Sequence, residues 1–175
     1  MIFRLTQKLA KKIGIGVSKY VPPDNNPFAD WTAHLFTAQR TQYVIVTNTA
    51  SLYSMVMYGK GITNTNRLTQ DSLSYMSEFM PDDGNEFIYQ RLIVPYAGRI
   101  LFSKATDRRV LGSMNELVFE AKFYLVEREE SPIGASFLLN ESPMSLIGYE
   151  RPRDAFKALR IVESNIDNGI KGDVQ

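Results

Sequence analysis

Lys104, Arg108 and Arg109 stand close together just ahead of Gly112-Ser113-Met114-Asn115-Glu116. Ser113 and Glu116 fit the spacing of a capping box, in which each side chain satisfies a backbone N–H at the start of a helix. A helix start carries free N–H groups and a partial positive charge. Gly112 lets backbone come close to a bound group. Lys104, Arg108, Arg109, Gly112, Ser113 and Asn115 therefore make a candidate cradle for phosphate or carboxylate. The plainer account is a capped helix whose arginines reach solvent or pair with Glu116, Glu120, Glu127, Glu129 and Glu130. The segment is not a P-loop, because the glycine spacing and the Gly-Lys-Ser/Thr ending are missing.

Trp31 and His34 form a second candidate set, with Arg40 nearby. Read as a helix, residues 27–40 put Trp31 and His34 near one face, an aromatic platform beside a titrating group. The plainer account makes Trp31 a core anchor with His34 at its edge. Lys8, Lys11 and Lys12 give a short helix one basic side, which leaves nucleic acid open as a partner. A few charges are more often a solvated face. Asp82-Asp83 beside Gly84 suits a turn better than metal ligation.

Much chemistry is excluded outright. The 175 residues contain no cysteine, which removes disulfides, thiolate zinc sites, iron–sulfur clusters and thiol nucleophiles. His34 is the lone histidine, so no multi-histidine metal site can form, and no metal or cofactor is expected. No Gly-x-Ser-x-Gly elbow supports a serine hydrolase. The 20 Lys+Arg against 19 Asp+Glu leave +1, no global drive toward nucleic acid or membrane. No apolar run reaches the roughly 20 residues of a bilayer span, and the start lacks a secretory layout. The expected location is cytoplasmic.

These residues must be positioned by a fold, and a composition 44% hydrophobic and 11% aromatic belongs to a globular chain. Ile2–Leu5 reads as a strand, followed by a short helix from a Thr6 cap and ended by Gly14. Asn26-Pro27 opens the helix expected over 27–40. Val44, Ile45 and Val46 mark a strand, and residues 52–57 its hairpin partner. Leu68, Leu73, Met76 and Phe79 mark a helix stopped by Pro81, and 86–94 reads as another. Residues 99–104 form a last strand, and Ser113 opens a helix with Met114, Leu117, Val118 and Ala121 inward. Residues 131–149 read as irregular, Pro152 starts a final helix through Glu163, and 165–175 should fray.

The expectation is an α+β domain over residues 1–164. Its small antiparallel or mixed sheet has strands near 2–5, 42–47, 52–57 and 99–104, packed by about five or six helices. An exposed hairpin edge, or the apolar Phe137-Leu138-Leu139, offers a route to a homodimer.

Several stretches carry a family resemblance: Met1-Ile-Phe-Arg-Leu-Thr6, Asp30-Trp31, Tyr43–Asn48 leading to Ser51-Leu52-Tyr53, Arg109-Val-Leu-Gly-Ser-Met-Asn115 and Leu139-Asn-Glu-Ser-Pro143. Together they resemble a domain-of-unknown-function family of small prokaryotic and mobile-element proteins. That resemblance implies a shared fold and brings no activity, substrate or catalytic residue. The functional expectation is a non-catalytic binding or interaction domain with an anion site at 104–115. The competing expectation is an enzyme on a phosphate-bearing substrate such as a nucleotide or nucleic acid, with His34 or an unrecognised acid as general base.

Overall fold

Ile2–Leu5 forms the first strand, β1, and all four of its residues are buried. A strand covered on both faces carries large side chains in succession, as Ile2, Phe3 and Leu5 do here. The computed structural model describes residues 1–17 and 19–162. After β1 come α1 (Gln7–Lys12), β2 (Asp30–Ala38), β3 (Thr41–Asn48), β4 (Ser54–Tyr58) and α2 (Thr65–Asp82). The one-turn α3 (Glu86–Ile88), β5 (Leu101–Lys104), α4 (Arg108–Val126), α5 (Pro132–Leu139) and α6 (Pro152–Ala158) follow.

The five strands make one mixed sheet in the order β4-β3-β2-β1-β5. β1 runs parallel to both neighbours, β2 and β5. β2, β3 and β4 are antiparallel hairpin partners. The fold is α+β, as the sequence indicates.

Strand alternation divides the core between the two sheet faces. On one face Phe3, Leu5, Trp31, Leu35, Val44 and Met55 pack under α1, α2 and Phe156 of α6. On the other, Phe36, Ile45 and Val56 pack under Val110, Met114, Leu117 and Ala121 of α4.

Several expectations need correction. Residues 30–38, expected inside a helix, are strand β2. The Asn26-Pro27 start signal is real, since the Asn26 side chain caps Phe28, but it drives only the 3₁₀ turn Pro27–Ala29. The aromatic and β-branched residues beyond it, including Trp31, Thr32, Phe36 and Thr37, suit a pleated surface buried on both sides. The helix expected from Ser113 begins a turn and a half earlier, at Arg108, because Asp107 caps it and Val110 extends its buried face.

Residues 86–94 are not one helix but α3 followed by the π turn Tyr89–Ile93 and a 3₁₀ turn at Pro95. Residues 131–149 are not irregular throughout, for Ser131 caps α5.

α5 also covers the β4 edge of the sheet. Ser136 of α5 accepts the Val56 N–H at 2.8 Å, and Asn140 accepts the Ser54 N–H and donates to the Ser54 carbonyl, both at 2.8 Å. These side chains stand in for a missing neighbour strand at the sheet edge. Leu139 is buried and Phe137 packs against Phe79, ring centroids 4.7 Å apart. The final helix ends at Ala158 rather than Glu163, and the expected fraying of 165–175 lies outside the described residues. Among the described residues, no helix is long and apolar enough to cross a membrane.

Candidate functional site

An arginine in the middle of a buried strand must find a counter-charge and hydrogen-bond acceptors, or the chain will not fold. Arg4 of β1 is 6% exposed and Asp30, the first residue of β2, 5%. Nε and Nη2 of Arg4 donate to the two Asp30 carboxylate oxygens at 2.8 and 2.7 Å, a bidentate fork. Nη1 donates to the Val21 carbonyl at 2.8 Å and lies 3.4 Å from the Ser103 hydroxyl of β5. The Tyr20 ring stands over the guanidinium, its centroid 5.5 Å from Cζ.

Asp30 is also held from the far side. The turn after β3 is ordered by Asn48, whose Oδ1 accepts the Ser51 N–H and hydroxyl at 3.0 and 2.9 Å. This turn delivers Thr49, whose hydroxyl donates to Asp30 Oδ1 at 2.8 Å. Thr32 of β2 lies 2.9 Å from that same Thr49 hydroxyl. Arg4, Asp30, Thr32 and Thr49 thus form one connected polar floor on the α4 side of the sheet.

Above this floor α4 has not yet covered the sheet, and an open cleft of about 410 Å³ remains. Tyr20, Pro23, Asp24 and Pro27 make one wall. Ala105, Thr106 and Asp107, with Val110 and Leu111 from the first turn of α4, make the other. The walls are largely apolar, whereas the floor is wholly polar.

Asp24, Asp30 and Asp107 set three carboxylates against the single guanidinium of Arg4 in this lining. Arg4 is committed to Asp30. Arg109 hydrogen-bonds Asp107 through side chain and backbone and holds its carboxyl below the usual carboxylate range. That pair spans 3.3 Å and Arg109 is 78% exposed, so solvent screens it strongly. Asp24 makes no ion pair among the described residues.

The residues singled out from the sequence are only partly brought together. Lys104, Arg108 and Arg109 are exposed and lie outside the cleft lining. Lys104 instead borders a smaller hollow with Lys11 and Gly16. Gly112, Ser113 and Asn115 lie inside α4, with Ser113 buried, so none of them is at the helix start.

Trp31 and His34 do not share a face, because an odd spacing in a strand puts them on opposite sides. Trp31 is fully buried in the core, its ring N–H donating to the Phe28 carbonyl at 3.0 Å. His34 is half-buried, with Nδ1 3.0 Å from the Thr6 hydroxyl, and it does not line the cleft. Burial, with Lys8 and Lys122 nearby, lowers its pKa. Arg40 sits in the β2–β3 hairpin turn, beyond the end of β2 remote from Asp30.

The sequence reading missed Arg4, Asp30, Thr32 and Thr49. One signal for them was present: a lone arginine in the apolar run Ile2-Phe3-Arg4-Leu5 needs a buried acid. Nothing in local spacing says which acid, because 26 residues separate Arg4 from Asp30.

No curated protein matches the chain. The family model described as Domain of unknown function (DUF6933) matches residues 2–155, which takes in the strands, the cleft floor, both cleft walls and all but the end of the last helix. The match also includes residues 60–98, outside the stretches that carry the resemblance. The chain belongs to the DUF6933 family.

Proposed function

We propose that the chain is a non-catalytic binding domain whose ligand occupies the cleft between segment 20–27 and the start of α4. The observation carrying this reading is the cleft itself, about 410 Å³ of open space over the buried Arg4–Asp30 pair. Its size is that of small-molecule sites, and apolar walls around a few convergent polar groups are their usual make-up. Burying an ion pair costs several kcal/mol per ion before its attraction is counted. A fold that only needed to fill this space could do so with apolar side chains.

The enzymatic reading has less support. Its version with His34 as general base needs His34 within reach of the substrate, and His34 instead contacts the Thr6 hydroxyl away from the cleft. A phosphate-bearing ligand is favoured by a separate observation, the hollow shared by Lys104 and Lys11. Its small size and exposed lysines make it the weaker of the two sites.

A ligand-observed NMR screen of small aromatic and heteroaromatic fragments tests the cleft. Fragments should bind the full-length protein and lose binding in Ala50→Trp, which places an indole at the cleft mouth. Ala50 is exposed, so the variant should keep the wild-type melting temperature. Fragments that bind both proteins equally would count against the cleft. Loss of inorganic phosphate binding on Arg108→Ala/Arg109→Ala would favour the cationic loop instead.

A further inference from the structure

The protons of the cleft floor can be assigned, and their order points to a kind of ligand. Arg4 has only donors, so both Asp30 oxygens accept from it. Asp30 Oδ1 also accepts from the Thr49 hydroxyl at 2.8 Å. A hydroxyl has one proton, and that of Thr49 is spent on Asp30. The 2.9 Å contact between Thr32 and Thr49 must then be a donation from Thr32. The Thr32 proton is spent too, and what its hydroxyl has left is acceptor capacity. Thr32 is 1% exposed, lines the cleft and has no other side-chain partner among the described residues.

The same sign recurs on the walls. Asp24 and Asp107 add carboxylates to the lining, Asp107 sharing its charge with the exposed and solvent-screened Arg109, and the one cation among the described lining residues is spent on Asp30. An acceptor-rich floor between acidic walls repels anions and leaves a ligand acceptor unpaired, which is costlier than a missing contact. Around these groups, Tyr20, Pro23, Val110 and Leu111 offer flat and apolar surface.

We infer that the cleft selects a ligand with a flat apolar body and a cationic or N–H-donating group, an amidine, amine or amino-heterocycle, whose donors meet Thr32 and the carboxylates. The inference rests on the cleft being the binding site and adds the polarity of what enters it. Tyr20 stacks on the body of the ligand, and Asp24 and Asp107 set its preference for positive charge. Anionic phosphate compounds are excluded from this cleft and are left to the basic surface outside it.

Benzamidine and benzoate share a ring and differ in the sign and hydrogen-bonding sense of the head group. Each is titrated into ¹⁵N-labelled full-length protein and followed through the backbone amides of residues 30–32, 49–50 and 105–111. Benzamidine should shift these amides with an affinity at least about tenfold above benzoate, the size of one good charge-assisted contact. Asp24→Asn/Asp107→Asn should weaken benzamidine several-fold without changing the melting temperature, since asparagine keeps both the turn and the helix cap. Thr32→Val should weaken it further if the variant folds. Benzoate binding these amides as tightly as benzamidine, or benzamidine binding the double variant unchanged, overturns the polarity and leaves the cleft as a site. Neither compound shifting these amides while other fragments do likewise overturns the polarity. No fragment of any charge shifting them overturns the cleft itself.

Discussion

Asp30 and Asp83 are both buried carboxylates that face an arginine, and they do opposite things with the arrangement. Asp83, at the end of α2, accepts the Tyr53 hydroxyl at 2.7 Å and pairs with Arg153 of α6. Arg153 also reaches Glu141, and Asn85 donates to the Tyr53 oxygen at 3.1 Å. The Tyr53 ring stacks on Phe156 of α6, centroids 4.4 Å apart. Burial, reinforced by the Asp83 charge, raises the Tyr53 pKa far above that of an ordinary phenol, so its hydroxyl stays a donor. This cluster closes over itself and clamps α6 to the fold. The Arg4–Asp30 floor opens onto empty volume with acceptors to spare. Identical chemistry makes a clamp where the packing is complete and a receptor where it is not.

The comparison breaks first at Arg4. Arg4→Met leaves Asp30 buried without its counter-charge, and loss of one partner of a buried pair costs about 3–5 kcal/mol. Urea unfolding should show this as a lower midpoint at unchanged slope. A loss near zero would mean that water from the cleft solvates Asp30 and the floor is not a sealed ion pair.

Arg153→Met should cost less, about 1–3 kcal/mol. Arg153 is half-buried, and Asp83 keeps the Tyr53 and Asn85 contacts. Comparison of the two variants by the same unfolding assay ranks the pairs. Should Arg153→Met prove the more damaging, the clamp rather than the floor is the principal polar anchor.

His34 gives the smallest effect. Its folded pKa lies below the ordinary 6.5, so the unfolded chain binds the proton more readily. Stability from His34 is therefore present at neutral pH and lost as pH falls through about 6.5 toward the lower folded value. His34→Gln should flatten the pH dependence of the melting temperature as pH falls below about 6.5. An unchanged slope in that window would assign the acid sensitivity to carboxylates elsewhere.

Periodicity made legible what is local. The strand at Ile2–Leu5, the paired strands through Val44–Val46 and Val56, and the buried face of α4 all follow from spacing within one element. β2 misled because Asn26-Pro27 is a correct helix-start signal attached to a helix of one turn. Trp31, Leu35 and Ala38 fit a helical stripe and a strand buried on both faces equally well, and only pairing with β1 and β3 decides. Ser113-x-x-Glu116 misled in the same manner, since Asp107 caps one and a half turns earlier and hides the motif inside the helix. In the loop from Lys104, Ala105–Asp107 line the cleft, whereas the candidate residues Lys104, Arg108 and Arg109 lie outside it. The floor was illegible because Arg4, Asp30, Thr32, Thr49 and Ser103 come together only when three strands and a turn are assembled.

The central claim is that the space above Arg4 and Asp30 is a ligand site, and shift mapping of fragment hits on the labelled wild-type protein tests it most directly. The account predicts saturable shifts concentrated at residues 30–32, 49–50 and 105–111, all suppressed in Ala50→Trp. Shifts that centre on the outer face of α4 or on the Lys11–Lys104 hollow, with the cleft amides unmoved, would contradict it.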